Sequence, residues 1–269
     1  MAPGLRLAAN LSFFFKDKPF LQRFGAVAQC GFRHVEFMFA GDGAYLHEAC
    51  DVRAELEAHG LTQALLNAPA GDWGAGERGL GGIPDRESDF TASIEYGLRY
   101  AEELKCSRMH VMAGTTAAGA DEATYVKRLQ WASAAAASQG VTVLVEPLNP
   151  VDFPGYLVPD ASTALRVLKA VDAPNCQLQL DLYHVAMGEQ TTALEPLLRE
   201  LLPHAAHVQI ANPPGRNEPG VGDVDFVPLL KLLDDGELSG YDGYVGCEYK
   251  PSTDATGESL GWAHKWLQP

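Results

Sequence analysis

Four polar residues close four successive short apolar runs in the second half of the chain. Glu146 ends VLVEP, Asp181 ends LQLD, Gln209 lies in HVQIAN, and Glu248 ends VGCE. Three carboxylates gathered at one rim repel one another, and burial would push their pKa values upward. A divalent cation relieves both costs at once. Four side-chain oxygens with no thiolate favour a hard ion, Mg²⁺ or Mn²⁺, over Zn²⁺. The expected metal set is therefore Glu146, Asp181, Gln209 and Glu248. The competing reading makes each residue a helix cap or the partner of a rim arginine, and a run of four such strand ends argues against it.

Around this set stand a few groups able to handle a substrate. His184 follows Asp181 in DLYH and could donate a hydrogen bond that polarises a substrate oxygen. Arg78 in GDWGAGERG, Arg216 in PPGRNEPG and Lys250 in CEYK supply cations near the same rim. An arginine clamps a carboxylate with two parallel hydrogen bonds, whereas a lysine offers a point charge. His207 opens its run and is expected to face the bottom or the helix layer as a structural group. Trp73 and the Phe13–Phe14–Phe15 run read first as packing.

These residues need a frame that brings them together. Apolar runs of strand type recur at 5–9, 34–37, 62–67, 108–112, 141–146, 177–181, 207–211 and 243–248. Helical patterns lie near 18–29, 47–59, 87–105, 121–139, 160–171, 192–202, 225–234 and 255–267. Asp51 or Asp121 could cap a helix start, and Gly31, Gly60 and Gly140 fall just past helical stretches. Eight strands alternating with eight helices is the rhythm of a (β/α)₈ TIM barrel, expected here as a single α/β domain over residues 1–269. A doubly wound sheet competes, but its GxGxxG turn is missing after the first strand. The stretches 68–85 and 211–225 are long for connections, follow the third and seventh strands, and so become candidate lids.

Charge and composition narrow the partners. Twenty Lys and Arg against thirty-five Asp and Glu leave a net charge of -15. A chain this acidic lacks the basic surface that phosphate backbones require, so no nucleic acid is expected. The longest apolar runs are about eight residues, against the ~20 needed to cross a bilayer, so no membrane is expected either. Five cysteines without a CxxC pair point to reduced thiols and a cytoplasmic setting. No stretch declares a homo-oligomer interface, though exposed apolar residues leave one open.

The longer strings resemble a known family. NAPAGDWGAGERG at 67–79, EPLNPVDFPGY at 146–156, DLYH at 181–184, IANPPGRNEPGVGDVDF at 210–226 and GCEYKP at 246–251 are similar to the hydroxypyruvate isomerases of the xylose-isomerase-like barrel superfamily. ANLSFFF and QCGFRHVEFMF extend the likeness to nearly the whole chain. The resemblance implies an isomerase that interconverts hydroxypyruvate and tartronate semialdehyde with a divalent metal. It places the catalytic glutamate pair on Glu146 and Glu248, and substrate contacts on His184 and Arg216. Arg78 and Lys250 join them here on charge alone. A branch acting on 2-oxo-tetronates shares much of the pattern, and ketose 3-epimerases use a similar site. A nuclease on the same scaffold is disfavoured by charge. An inactive binding protein would be expected to lose an acidic strand end, and none is lost.

Overall fold

A computed structural model describes residues 5–39, 47–234 and 241–267. Eight parallel strands form a closed barrel in chain order: β1 (Leu7–Asn10), β2 (His34–Phe37), β3 (Thr62–Asn67), β4 (Arg108–His110), β5 (Thr142–Val145), β6 (Cys176–Asp181), β7 (Ala205–Ile210) and β8 (Val245–Cys247). Parallel strands covered by helices are buried on both faces, and past their first one or two residues all eight strands here are buried throughout. The helices are α1 (Phe20–Gln29), α2 (Ala49–His59), α3 (Glu87–Leu104), α4 (Glu122–Ala137), α5 (Ala161–Val171), α6 (Leu182–Glu189), α7 (Leu194–Leu201) and α8 (Phe226–Asp234).

Local chemistry sets the boundaries of these helices. Asp121 and Asp160 accept from the backbone N–H groups of Thr124 and Thr163, at 2.8 and 2.7 Å, capping α4 and α5. Gly60 takes the left-handed conformation at the end of α2, and its N–H closes back onto Glu57 and Leu56. Asp51 is not a cap. It lies in the first turn of α2, whose N-cap is Glu48.

Two expectations about helices need correction. The segment α6 was not anticipated, because all of Leu182–Ala186 is buried and no polar stripe marks a helical period. The C-terminal segment forms a 3₁₀ helix over Thr256–Ala263 rather than an α-helix over 255–267. Gly257 and Gly261 weaken α-helical propensity there.

The helix layer packs tightly on the barrel. Phe24 on α1 is fully buried, with its ring edge-on to Phe20 at 5.5 Å. Truncating such a side chain removes transfer energy and leaves a cavity, so Phe24→Ala should cost about 3–5 kcal/mol. Urea unfolding would show this as a lower midpoint with an unchanged slope. Long segments 68–83 and 211–225 follow β3 and β7, at the same end of the barrel as the acidic strand ends.

Candidate active site

Alternation along the strands decides what the barrel mouth contains. Residues two apart share a face, so Gln179 and Asp181 project together from β6, and His207 and Gln209 from β7. Glu146 and Glu248 stand one residue past β5 and β8. A cavity of about 520 Å³ opens at this end. Glu146, His184, Gln209, Arg216, Glu248 and Lys250 all line it, and Asp181 is fully buried beside it, within reach of Arg216 and His184.

The three carboxylates are almost fully buried around the cavity. Burial pushes Glu146 well above the usual carboxylate range, and the charges of Glu248 and Asp181 push it further. Burial raises Glu248 to about 8 and Asp181 to about 6, each against the opposing pull of Arg216. The Arg216 Nη2 lies 3.3 Å from Asp181 Oδ2 and 3.1 Å from Glu248 Oε1. One guanidinium among three buried carboxylates leaves an excess of negative charge.

Arg216 reaches this position from the long segment after β7. Its backbone φ is 57°, an uncommon value outside glycine, and the loop pins it there. Asn212 and Asn217 exchange backbone hydrogen bonds at 2.7 and 3.1 Å, and the Lys250 N–H donates to Arg216 O at 2.7 Å. The guanidinium packs over the rings of Tyr183 and Phe13, 4.9 and 5.1 Å from their centres.

The donor set fits a divalent cation. Glu146, Asp181 and His184 each bring one potential ligand atom within 4.8 Å of the others. Glu248, expected in the same coordination shell, lies outside that cluster and pairs with Arg216, as Asp181 also does. Gln209 is also engaged: its Nε2 donates to Glu36 at 2.8 Å, and its Oε1 accepts from Gln179 at 2.7 Å. An amide oxygen keeps a second lone pair after one hydrogen bond. The oxygen-rich set and its excess negative charge suit a hard divalent cation.

His184 belongs to that cluster by distance, but the hydrogen bonds to its ring fix it as a donor towards the site. Its Nδ1 lies 3.2 Å from the Asn149 backbone N–H and 2.7 Å from the Asn149 amide. A backbone N–H can only donate, so Nδ1 accepts and the proton of the neutral ring sits on Nε2. Burial, and then the charge of Arg216, hold the ring well below its ordinary pKa, keeping it neutral. Nε2 points towards Asp181 Oδ2 at 3.7 Å, where it can donate to a bound oxygen.

Arg78 is not where the sequence suggested. Arg78 does not line the cavity: its guanidinium lies 4.0 Å from the centre of the Trp73 ring, and Nη1 donates to Trp73 O and Glu77 O. Trp73 lines the cavity and Arg78 braces it. His207 takes the structural place expected of it, inside the barrel below the cavity and not in the helix layer. It is fully buried in the barrel, with Nε2 2.6 Å from Glu36 Oε2. Lys250 is exposed at the cavity mouth, joined there by Lys16.

The sequence reading passed over other polar groups of the cavity: Asn10, Asn67, His110 and Gln179 line it as well. Burial drops the His110 pKa to about 3, so the ring is neutral, and Nδ1 lies 3.4 Å from Glu146 Oε2 in poor alignment for a hydrogen bond. The signal was present: β1, β3 and β4 end in Asn10, Asn67 and His110, as the later strands end in acids.

Comparison with known proteins agrees with this architecture. The family model for the xylose isomerase-like TIM barrel matches residues 24–266. A 2-oxo-tetronate isomerase of Cupriavidus necator is 45% identical over 97% of this chain and 98% of its own. The hydroxypyruvate isomerase of Escherichia coli is 38% identical over 96% of this chain and 98% of its own. Among solved structures, one titled AP endonuclease, family 2, from Brucella melitensis superposes with a TM-score of 0.90 at 40% identity, covering 97% of this chain and 99% of that one.

Proposed function

This chain belongs to the xylose isomerase-like TIM barrel family and is an isomerase, and we propose that its substrate is a short 2-oxo-3-hydroxy acid, hydroxypyruvate being the first candidate. The observation that carries this reading is a buried pair of glutamates, Glu146 and Glu248, on separate strand ends of one cavity that also holds Arg216. Hydroxypyruvate becomes tartronate semialdehyde when one proton moves from C3 to C2 and the hydroxyl protons rearrange. A cis-enediolate lies between the two.

Glu146, Asp181, Gln209 and Glu248 would hold a divalent ion, with His184 beside it. When bound, that ion would polarise the two substrate oxygens and stabilise negative charge developing on them. The protein's own groups carry the protons. One glutamate removes the proton from carbon, and the other delivers or receives the proton at the neighbouring position. His184 Nε2–H donates to an oxygen that becomes anionic. The apolar walls supplied by Phe13, Trp73 and Phe153 keep bulk water from the planar intermediate.

Arg216 is the buried cation of the cavity and the candidate reader of the substrate carboxylate. Arg216→Ala should lower kcat/KM by roughly 10²-fold, since a hydrogen bond to a charged group is worth about 1.5–3 kcal/mol. An analogue without the carboxylate should lose much less. Equal losses for both would leave Arg216 only its role of neutralising Asp181 and Glu248.

A four-carbon substrate is the second reading, favoured by the higher identity to the 2-oxo-tetronate isomerase. The chemistry is unchanged, because a 2-oxo-tetronate carries the same ketone and neighbouring hydroxyl with one further carbon. The deciding experiment compares kcat/KM for hydroxypyruvate and for both enantiomers of 2-oxo-tetronate. Higher turnover of hydroxypyruvate supports the first reading, and a preference for either tetronate supports the second. Turnover of a neutral ketose instead of either acid would overturn both.

A further inference from the structure

Beneath the cavity floor lies a carboxylate to which neither the sequence reading nor the proposed reaction gives a task. Glu36 on β2 is fully buried. Two amides donate to its Oε1, Asn10 Nδ2 at 2.9 Å and Gln209 Nε2 at 2.8 Å, and His207 Nε2 lies 2.6 Å from Oε2. The contact crosses the barrel interior, since β2 and β7 are separated by β8 and β1. Gly246 on β8 is the residue paired with Gln209, and a Cβ there would collide with the Glu36 carboxylate. The missing side chain is what opens the path.

Burying a charge inside a barrel is costly, and an apolar residue would fill the same space without that cost. What a carboxylate supplies, and an apolar residue or an amide does not, is direction. A carboxylate only accepts hydrogen bonds, whereas an amide has a donating and an accepting end. With Glu36 on one side, the Gln209 amide must turn its NH₂ towards it and its oxygen away. That oxygen accepts from Gln179 Nε2 at 2.7 Å. The opposite arrangement would set an amide oxygen against a carboxylate.

We propose that Glu36 is a positioning residue, which locks the Gln209 amide with its oxygen facing away from Glu36 so that Gln209 can ligate a divalent cation. This rests on reading Gln209 as a metal ligand. Outer groups that orient a ligand typically change metal affinity or activity by about 10–100-fold when removed. A Gln at position 36 can present either end of its amide, so it no longer dictates which way Gln209 turns.

The test is Mn²⁺ binding to the full chain by titration calorimetry, with folding checked by circular dichroism. Gln209→Met and Glu36→Gln should each weaken binding, by about tenfold for Glu36→Gln, and the double variant should bind no more weakly than Gln209→Met alone. That non-additivity is the readout a purely structural role would not give. Gly246→Ala, which crowds the same carboxylate from the β8 side, should also weaken binding, and it carries the test if Glu36→Gln does not fold. Wild-type affinity in Glu36→Gln alongside weakened Gln209→Met would overturn the inference, as would two losses that multiply in the double variant. Wild-type affinity in Gln209→Met would instead remove Gln209 from the metal set, and the inference with it.

Discussion

Glu146→Gln and Glu248→Gln should each lower kcat by about 10²–10⁴-fold, the range that a positioned acid or base contributes. Glutamine keeps the shape and one oxygen of glutamate but cannot accept a proton at neutral pH. If a glutamate carries the proton between carbons, that proton can exchange with solvent while the enediolate persists. Turnover in D₂O should therefore place deuterium on product carbon, and each variant should lose label and turnover together. Metal content has to be measured in the same samples, because both residues are also candidate ligands and lost ligation would mimic a lost base. Efficient turnover by either metal-loaded variant would remove that glutamate from proton transfer.

The barrel was legible because its determinants are local. Most strands are short runs rich in apolar residues and most helices are amphipathic, so their alternation shows in the sequence without any knowledge of long-range contacts. Alpha-six (Leu182–Glu189) escaped because LYHVAMGE offers no polar face. The segment is packed from several sides, and burial erases the periodicity by which helices are recognised. At the C-terminus the opposite happened: an apparent helical pattern around Gly257 and Gly261 closed as 3₁₀ turns.

The site was legible to the extent that it is acidic. Glu146, Asp181 and Glu248 stand out because a carboxylate at the end of an apolar strand needs a reason. Glu36 needed the same reason, but it lies inside HVEF, one residue before the strand closes. Its partners His207 and Gln209 come 171 and 173 residues later. Nothing in a linear pattern joins them, since the pairing is created by closure of the barrel. Arg78 illustrates the converse error. A cation in a rim loop suggests an anion to bind, yet cation–π packing on Trp73 at 4.0 Å already engages it. The charge of a loop residue is visible in sequence, while the direction of its side chain is not.

Removing divalent metal should abolish turnover, and adding Mg²⁺ or Mn²⁺ should restore it. The basis is electrostatic. Burial raises Asp181 to about 6 and Glu248 to about 8, and lifts Glu146 well above the usual range, because one arginine cannot neutralise three buried carboxylates. A divalent ion bound there would supply the missing positive charge and favour the ionised carboxylates over the protonated ones. Binding to the folded chain alone must also stabilise it. At a metal concentration of 100 times Kd the gain is about 2.7 kcal/mol, which for a chain of this size corresponds to a rise in Tm of roughly 5–10 °C. Asp181→Asn should blunt that rise, since the amide keeps the contact with the Tyr183 N–H through its oxygen but loses the charge. Thermal melts of chelator-treated protein, with and without added Mn²⁺, measure the effect independently of catalysis. Unchanged Tm together with full activity in metal-stripped protein would sink the metal reading. Unchanged Tm with lost activity would point to binding too weak to stabilise the fold at the concentration used, and raising Mn²⁺ tenfold should then bring the shift into view.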